Sequence, residues 1–490
     1  MSRRLLALGT FASALSILSS RLLGFVREVL TAYFFGASAA TDAFFLAWKI
    51  PNIFRRVLAE GGLEKVFIPL LKGGFDKNFV REVFFWLLLS SFGVSVLLSL
   101  LSGEIISLIS RGGDGNLAST LLGYLAFYLP FAVVSAYFSA LLQYRKSFFL
   151  AYFSSALFNL TVIGFLLLFA ERWGIYALVW GVLGGGLVQV LFSLAVAYRK
   201  KVLLPPKAGF GFKVKKFFKN LLPSFGSLGV GQISTLAEAF FATHAGVGVL
   251  SGLYYAFRLF QLPVSVIGVS TSRVNLSYLS TAGSRFSKDP RVLEFTLKKY
   301  LLRTGEIALY FAIPALLGLV LFSQPLVELV YKRGAFGGGD AERVALYLQL
   351  YALGLPAAAL YPLTANIFYI KERFYLGFFL STLWLAVEIF LPAVGLFLLH
   401  LGGWVIALSY SLGGWITFLT LAGVSRSLTL FLRSLWRLKK FLPLWGLTAF
   451  VLLLPPVRDG GILTLLTVAV VGLLYLYLFK REYLSKLGYR

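Results

Sequence analysis

Apolar runs of about twenty residues recur from one end of the chain to the other. In a bilayer such a run can satisfy its backbone internally only as an α-helix or within a closed barrel, and about twenty residues is the length of a helical crossing. Of 490 residues, 59% are hydrophobic and 13% charged, about half the charged share of a soluble domain. The runs fall near 6–34, 39–70, 83–110, 117–143, 148–170, 174–198, 218–244, 249–280, 300–331, 342–369, 375–399, 403–424, 441–457 and 461–479. They predict an all-α polytopic membrane protein with fourteen transmembrane helices. Arg3 and Arg4 precede the first run as in a signal peptide, but it continues through Arg21 and Arg27 without a small-residue cleavage site, so it is expected to be retained.

Most of the 46 Lys and Arg fall at the N-terminus, in even-numbered loops and in the tail. The positive-inside rule then puts both termini in the cytoplasm of a multi-pass inner-membrane protein. The net charge of +26 reads as topology facing anionic headgroups, and nucleic acid is not an expected partner. With no cysteine, thiolate metal sites and disulfides are excluded. His244 and His400 are too few for a histidine-rich site and read as solvated residues.

An internal repeat divides the chain. LPFAVVSAYFSALLQYRKSFFLAYFSSAL, from Leu129, and LPAAALYPLTANIFYIKERFYLGFFLSTL, from Leu355, superpose without a gap at an offset of 226 residues, setting Pro130 on Pro356 and Arg145 on Lys371. The segments Arg111-Gly112-Gly113 and Arg333-Gly334-Ala335 end the preceding spans similarly. The offset carries span 4 onto span 10, so two six-helix lobes share one orientation, as in transporters built from parallel repeats around a central cavity. The expected divisions are a first lobe at 1–199, a basic cytoplasmic linker at 200–217, a second lobe at 218–425, and two further helices with a tail at 426–490.

The intramembrane and span-edge cations Arg21, Arg27, Lys49, Arg55, Arg56, Lys65, Arg258 and Arg273 carry the functional question. A charge costs roughly 2.5–3.5 kcal/mol at a bilayer centre, so charges within spans point to a polar interior. On an ideal helix Asp42, Lys49, Arg56 and Glu60 fall within about 40° of one another, with Arg55 about 100° away. That stripe runs ~27 Å down a helix bent at Pro51. In the first span Ser13, Ser16, Ser20 and Arg27 share a polar arc of about 60°. Pairing of Arg27 with Glu28 or Asp42 is the structural alternative to substrate binding, yet the cations outnumber Glu28, Asp42 and Glu60. Arg56 and Glu60, at i and i+4, are spaced to pair. Arg258 lies four residues after Tyr254 and three before Gln261, and its alternative is snorkelling. Guanidinium forks suit phosphate oxygens and repel cationic drugs, so the expected substrate carries phosphate or carboxylate.

Glu238 and Glu388 stand among apolar neighbours and are candidates for binding a proton or a monovalent cation, or for hydrogen bonding as neutral acids between helices. Short periplasmic loops and the lack of HExxH, GxSxG or a phosphate loop speak against an enzyme and against ATP. The different-class alternative is an integral-membrane glycan transferase using Asp42 and Glu60.

The stretch SRLLGFVREVLTAYFFGASAATDAFFLAWKIPNIFRRVLAEGGLEKVFIPLL, with LYYAFRLFQLP, RGAF and YALGLPAAAL, resembles the signature of the MurJ (MviN) family of lipid II flippases. That family belongs to the multidrug/oligosaccharidyl-lipid/polysaccharide exporter superfamily. The resemblance implies translocation of the lipid-linked peptidoglycan precursor between leaflets by alternating access, for cell-wall biogenesis. Its partners would be lipid II and membrane lipids, and the chain would act as a monomer without a cofactor. The family's arginines fall on Arg21, Arg27, Arg55, Arg56 and Arg258, and its acids on Glu28, Asp42 and Glu60. Spans 13 and 14 would form the groove for the lipid tail. A sodium site known in relatives falls on Glu238 and Glu388, with Tyr410 where a threonine is expected. Sodium, a proton and the membrane potential are thus the energy sources in view. The chain departs from the family at GVSTSRVNLS, with Arg273, Asn275 and no proline at Ser277, and at TANIFYIKERF. Alternatives are a flippase for another polyprenyl-pyrophosphate-linked oligosaccharide, or a multidrug or ion antiporter of the superfamily.

Overall fold

The structure is a computed structural model that describes residues 3–58, 62–71, 74–110, 114–269, 290–370, 373–453 and 462–481. Glu60, the Arg111–Gly113 segment, Lys371, Arg273, Asn275 and Ser277 lie outside the described residues. Every extended element among the described residues is a helix, and the chain divides into two units.

The first unit, Met1–Ser251 with Arg333–Phe336, contains α1 (Arg3–Phe35), α2 (Ala39–Leu58), α3 (Gly62–Leu70), α4 (Lys77–Leu100), α5 (Ser102–Ile109) and α6 (Asp114–Leu125). They are followed by α7 (Tyr128–Tyr144), α8 (Phe148–Trp173), α9 (Tyr176–Arg199), α10 (Phe212–Ala245) and the start of α11 (Val249–Val264). Its core gathers Phe67, Phe79, Phe84, Tyr137, Phe138 and Phe217 from α3, α4, α7 and α10, with the Tyr137 hydroxyl donating to the Val80 carbonyl at 2.9 Å. Helix α10, which the repeat places at the head of the second lobe, packs on α2 and α3 of this unit. The physical reason is visible in Phe217, which sets its ring edge-on to Phe67 and Phe79.

The second unit, Gly252–Lys332 with Gly337–Arg490, carries the remainder of α11, then α12 (Pro290–Leu321), α13 (Ser323–Tyr331), α14 (Gly338–Ala352), α15 (Leu355–Ile370) and α16 (Phe374–Ala393). After these come α17 (Trp404–Val424), α18 (Leu428–Leu438), α19 (Leu442–Leu453) and α20 (Ile462–Phe479). Helix α12 is the hub, packing against α15, α18 and α19. Its Tyr310 hydroxyl donates to the Tyr475 carbonyl at 3.0 Å, fixing α20.

The repeat recurs as structure within each unit. Adding 226 to α7 and α8 gives 354–370 and 374–399, the positions of α15 and of α16 with its π-helical extension Val394–Leu398. The α6–α7 and α14–α15 pairs each form one long apolar segment, Gly115–Tyr144 and Gly338–Phe368, broken at the same repeat position. Pro130 and Pro356 supply no N–H to the carbonyl four residues back, which breaks the ladder and exposes acceptors that an apolar medium cannot satisfy. The Ser95 hydroxyl donates to that carbonyl at Ala126 (2.8 Å). In the second unit Ser411 donates to the Leu350 carbonyl (2.5 Å) and the Trp415 indole to that of Leu353 (2.8 Å).

Eight helical segments among the described residues are long and apolar enough to cross a bilayer. Segments 39–70 and 218–244 of the fourteen-run pattern correspond to helices that carry several charges, α2 and α10, and others run over undescribed residues.

The basic linker is laid along the start of α4. Arg81 Nε donates to the Pro205 carbonyl (3.0 Å), the Trp86 indole to that of Gly209 (2.7 Å), and the Gly211 amide to Glu82 (3.1 Å). Lys213, opening α10, pairs with Asp76 at 2.7 Å, and Asp76 also caps α4 by accepting from the Phe79 amide. The hydrogen bond from Lys213, then that from Phe79, hold the Asp76 carboxyl below its ordinary value of 3.8. A carboxylate whose pKa is depressed in the fold contributes fully above its unfolded pKa and loses that contribution as pH falls through the folded one. Asp76→Asn is therefore expected to speed backbone hydrogen exchange across 207–213 severalfold, and acidification below the carboxylate range should do the same in the unaltered chain. Exchange that is unchanged in both cases would show the linker is held without this pair.

Candidate functional site

The charged stripe of α2 faces one segment of the first unit. Asp42, 7% exposed, accepts from the Gly248 amide (2.6 Å), the Ser251 amide (2.7 Å) and the Ser251 hydroxyl (2.6 Å). Those donors open α11, whose first amides have no intrahelical acceptor, so the carboxylate caps a helix N-terminus where the helix dipole also favours it. Two turns on, Lys49, 9% exposed, donates to Glu238 (3.0 Å) and to the Thr235 carbonyl (3.3 Å). The seven-residue spacing thus aims both side chains at residues 235–251, as one helical face requires.

Glu238 is consequently not an isolated carboxylate, because Lys49 from α2 neutralises it. Glu388 accepts the Trp384 indole at 3.1 Å, and Tyr410 sets its ring edge-on to Trp384. Glu238 thus has its counter-charge from Lys49 within the first unit. Among the described residues no cluster of three His, Asp or Glu side chains is placed to hold a metal.

Arg27 is held on two sides. One terminal nitrogen donates to Asn159 Oδ1 (3.1 Å) and the other to Glu28 (3.3 Å), so of the two acids expected as structural partners Glu28 is the one bound. Asn159, on α8, donates its amide to the Ser20 and Ser155 carbonyls at 3.1 Å each. Those bonds leave its oxygen turned to the guanidinium. Ser16 also donates to α8, at the Phe149 carbonyl (3.2 Å), so the polar arc Ser16–Ser20–Arg27 is the α8-facing side of α1. Sequence reasoning missed Asn159; its signal is a lone amide within FFLAYFSSALFNLTVIGFLLLF.

Arg55 Nε donates to Asn52 (2.9 Å), one turn back, and Arg55 and Arg56 are both half-buried, while Arg21 is exposed. Within 21–58 the cations Arg21, Arg27, Lys49, Arg55 and Arg56 exceed the carboxylates Glu28 and Asp42. In the second unit Arg258 is half-buried and donates to the Tyr254 hydroxyl (2.6 Å) and to Gln261 (3.4 Å), with its guanidinium carbon 4.7 Å from the Tyr254 ring centroid. These are the two neighbours its spacing indicated. A guanidinium held by a phenol and an amide keeps its positive charge and can still offer donors to an oxyanion. His244 is half-buried, with a ring nitrogen 2.7 Å from the Phe240 carbonyl, and His400 is exposed.

The RGAF segment has a local physical role. Gly334 has φ +61°, the Ala335 amide donates to the Tyr33 carbonyl at 2.8 Å, and a Cβ at Gly334 would collide with that carbonyl. Only glycine serves a left-handed position so close to another backbone.

The model of the family described as lipid II flippase MurJ matches residues 31–458. A probable lipid II flippase MurJ of Aquifex aeolicus is 34% identical, covering 78% of each chain. That of Thermotoga maritima is 28% identical, covering 84% of each. Among solved structures, a lipid II flippase MurJ in an inward closed conformation superposes with a TM-score of 0.79 at 25% identity, over 97% of this chain and 99% of that one. An inward-facing multidrug resistance MATE family transporter of the MOP superfamily shares the fold, with a TM-score of 0.63 at 16% identity over 83% and 94%.

Asp42→Ala leaves the Gly248 and Ser251 donors buried without their acceptor. It is expected to cost about 3 kcal/mol, read as a lower apparent unfolding midpoint of the purified protein, with Asp42→Asn losing less because one amide oxygen still accepts. Equal midpoints for Asp42→Ala and the unaltered chain would refute the capping role.

Proposed function

The chain belongs to the MurJ family of lipid II flippases, and from that premise we propose that it carries the headgroup of lipid II from the inner to the outer leaflet of the bacterial inner membrane by alternating access. It is a transporter, not an enzyme. The observation that supports this reading best is Arg27, a guanidinium on α1 fixed by Asn159 and Glu28. Arginine forks recognise the four-oxygen face of a pyrophosphate, and the same charge disfavours a cationic drug.

We assign pyrophosphate binding to Arg27, Arg55 and Arg258, and adjustment of the local potential to Arg21, Arg56, Glu28 and Glu60. Asp42 acts by capping α11. The fourteen-helix topology with both termini cytoplasmic, and the lobes 1–199 and 218–425 set by the repeat, are the frame in which access alternates; residues 426–490 are assigned to the polyprenyl tail. Because Lys49 already neutralises Glu238, we assign coupling to the membrane potential, or to a proton at Glu388, rather than to sodium.

Translocation of labelled lipid II, in vesicles or cells lacking another flippase, tests the substrate. The unaltered chain should move it, while Arg27→Ala and Arg258→Ala, normally inserted, should lose at least tenfold in rate, since each removes a charge-assisted contact of about 1.5–3 kcal/mol. Normal flipping by either variant overturns the arginine assignment, and no movement by the unaltered, folded chain overturns the substrate. Translocation insensitive to sodium but slowed by dissipating the proton gradient or potential is expected; if Glu388→Gln keeps the same dependence, that carboxylate does not couple it.

A further inference from the structure

Helix α18 is eleven residues long, about 16 Å, roughly half the thickness of a hydrocarbon core. Its sides divide into three arcs of roughly 100° each. Leu430, Phe431, Ser434 and Leu438 are buried; Leu428, Leu432, Leu435 and Trp436 are apolar but exposed; Thr429, Arg433 and Arg437 are polar and exposed.

The buried arc is seated on α12 so that the helix has one rotational setting. The Phe431 ring lies where a Cβ on Gly305 would approach it to 3.1 Å. Ser434 donates to the Leu302 carbonyl (3.3 Å), and Arg437 donates at 2.8 Å to Glu306, itself only 9% exposed. An apolar arc held outward beside a basic one needs an apolar medium on one side and water on the other, which is the situation of a helix lying in the membrane interface. Trp436, 67% exposed, has Lys439 Nζ 3.8 Å above its ring centroid, and an indole paired with an ammonium suits a membrane–water interface.

Charge identifies the occupant. No Asp or Glu occurs from Ser425 to Leu453, whereas Arg426, Arg433, Arg437, Lys439 and Lys440 do. We propose that α18 and the turn after it form a binding surface for anionic phospholipid headgroups, with Arg433, Lys439 and Lys440 on the phosphates and Leu432, Leu435 and Trp436 among the upper acyl carbons. Arg437 serves instead to lock the helix to Glu306. The surface is independent of the arginines assigned to the transported pyrophosphate.

The test is quenching of Trp436 fluorescence in the full-length protein by phospholipids brominated near the headgroup end of the acyl chain, with Trp436→Phe subtracted to isolate that residue. Dibrominated phosphatidylglycerol should reach half-maximal quenching at a mole fraction on the order of tenfold lower than dibrominated phosphatidylcholine. Arg433→Gln/Lys439→Gln/Lys440→Gln should bring the two lipids together. Equal quenching by both lipids in the unaltered chain would show an interfacial helix without headgroup selectivity and overturn the proposal. Absence of quenching by either would show that something other than lipid covers the surface, and overturn it as well. A selective signal that survives the triple substitution would reassign the phosphate contacts away from these residues. Because no lipid II is present, each outcome is separate from success or failure of the translocation assay.

Discussion

A backbone polar group in an apolar medium must find its partner within the protein, and much of this molecule's architecture follows from that requirement. Two helical segments are broken at prolines, and the break is tolerated because hydroxyls and an indole from neighbouring helices reach the exposed carbonyls. Ser95 does this for Ala126, four residues before Pro130, and at the corresponding break Ser411 and Trp415 donate to the nearby Leu350 and Leu353 carbonyls. The start of α11 poses the same difficulty with donors, and Asp42 supplies the acceptor. An acid that the sequence presents as one member of a charged stripe is thus a helix cap.

Intramembrane charge is managed by the same rule. Bringing Lys49 out of water would be costly alone, but Glu238 and a backbone carbonyl accept from it. Arg27 is bound by one carboxylate and one amide oxygen, and that amide is itself oriented by two carbonyls. Breaking either arrangement leaves a charge without its partners, which costs far more than the net worth of the pair. A fixed guanidinium is also what oxyanion recognition needs, since little conformational freedom is then lost on binding.

Outside the apolar segments the same chemistry works at lower stakes. The linker is a basic stretch that the sequence suggests only as a surface connection, yet the start of α4 meets it with Arg81, Glu82, Trp86 and Asp76. At α18 a buried Glu306 turns a basic amphipathic helix so that its second apolar arc faces outward. At both places each contact between exposed groups is modest, and their sum sets the orientation of the segment.

The sequence determined the helical class, the repeat and the face of α2 that carries charge, because hydropathy and helical period are local properties of a chain. The 226-residue offset reappears in α7 with α15 and α8 with α16, and the family resemblance is matched over residues 31–458. Arg258 with Tyr254 and Gln261 was likewise legible, since those partners lie within one turn. Partners distant in sequence were not. Asn159 with Arg27, Lys49 with Glu238 and the Ser251 donors with Asp42 are separated by 132, 189 and 209 positions, and no periodicity encodes which helices touch. Only the tertiary structure decided that Glu238 is neutralised, that Asp42 caps a helix and that α10 packs with the first unit. Each depends on which helices pack together, and packing is settled by the summed fit of many side chains rather than by any local pattern.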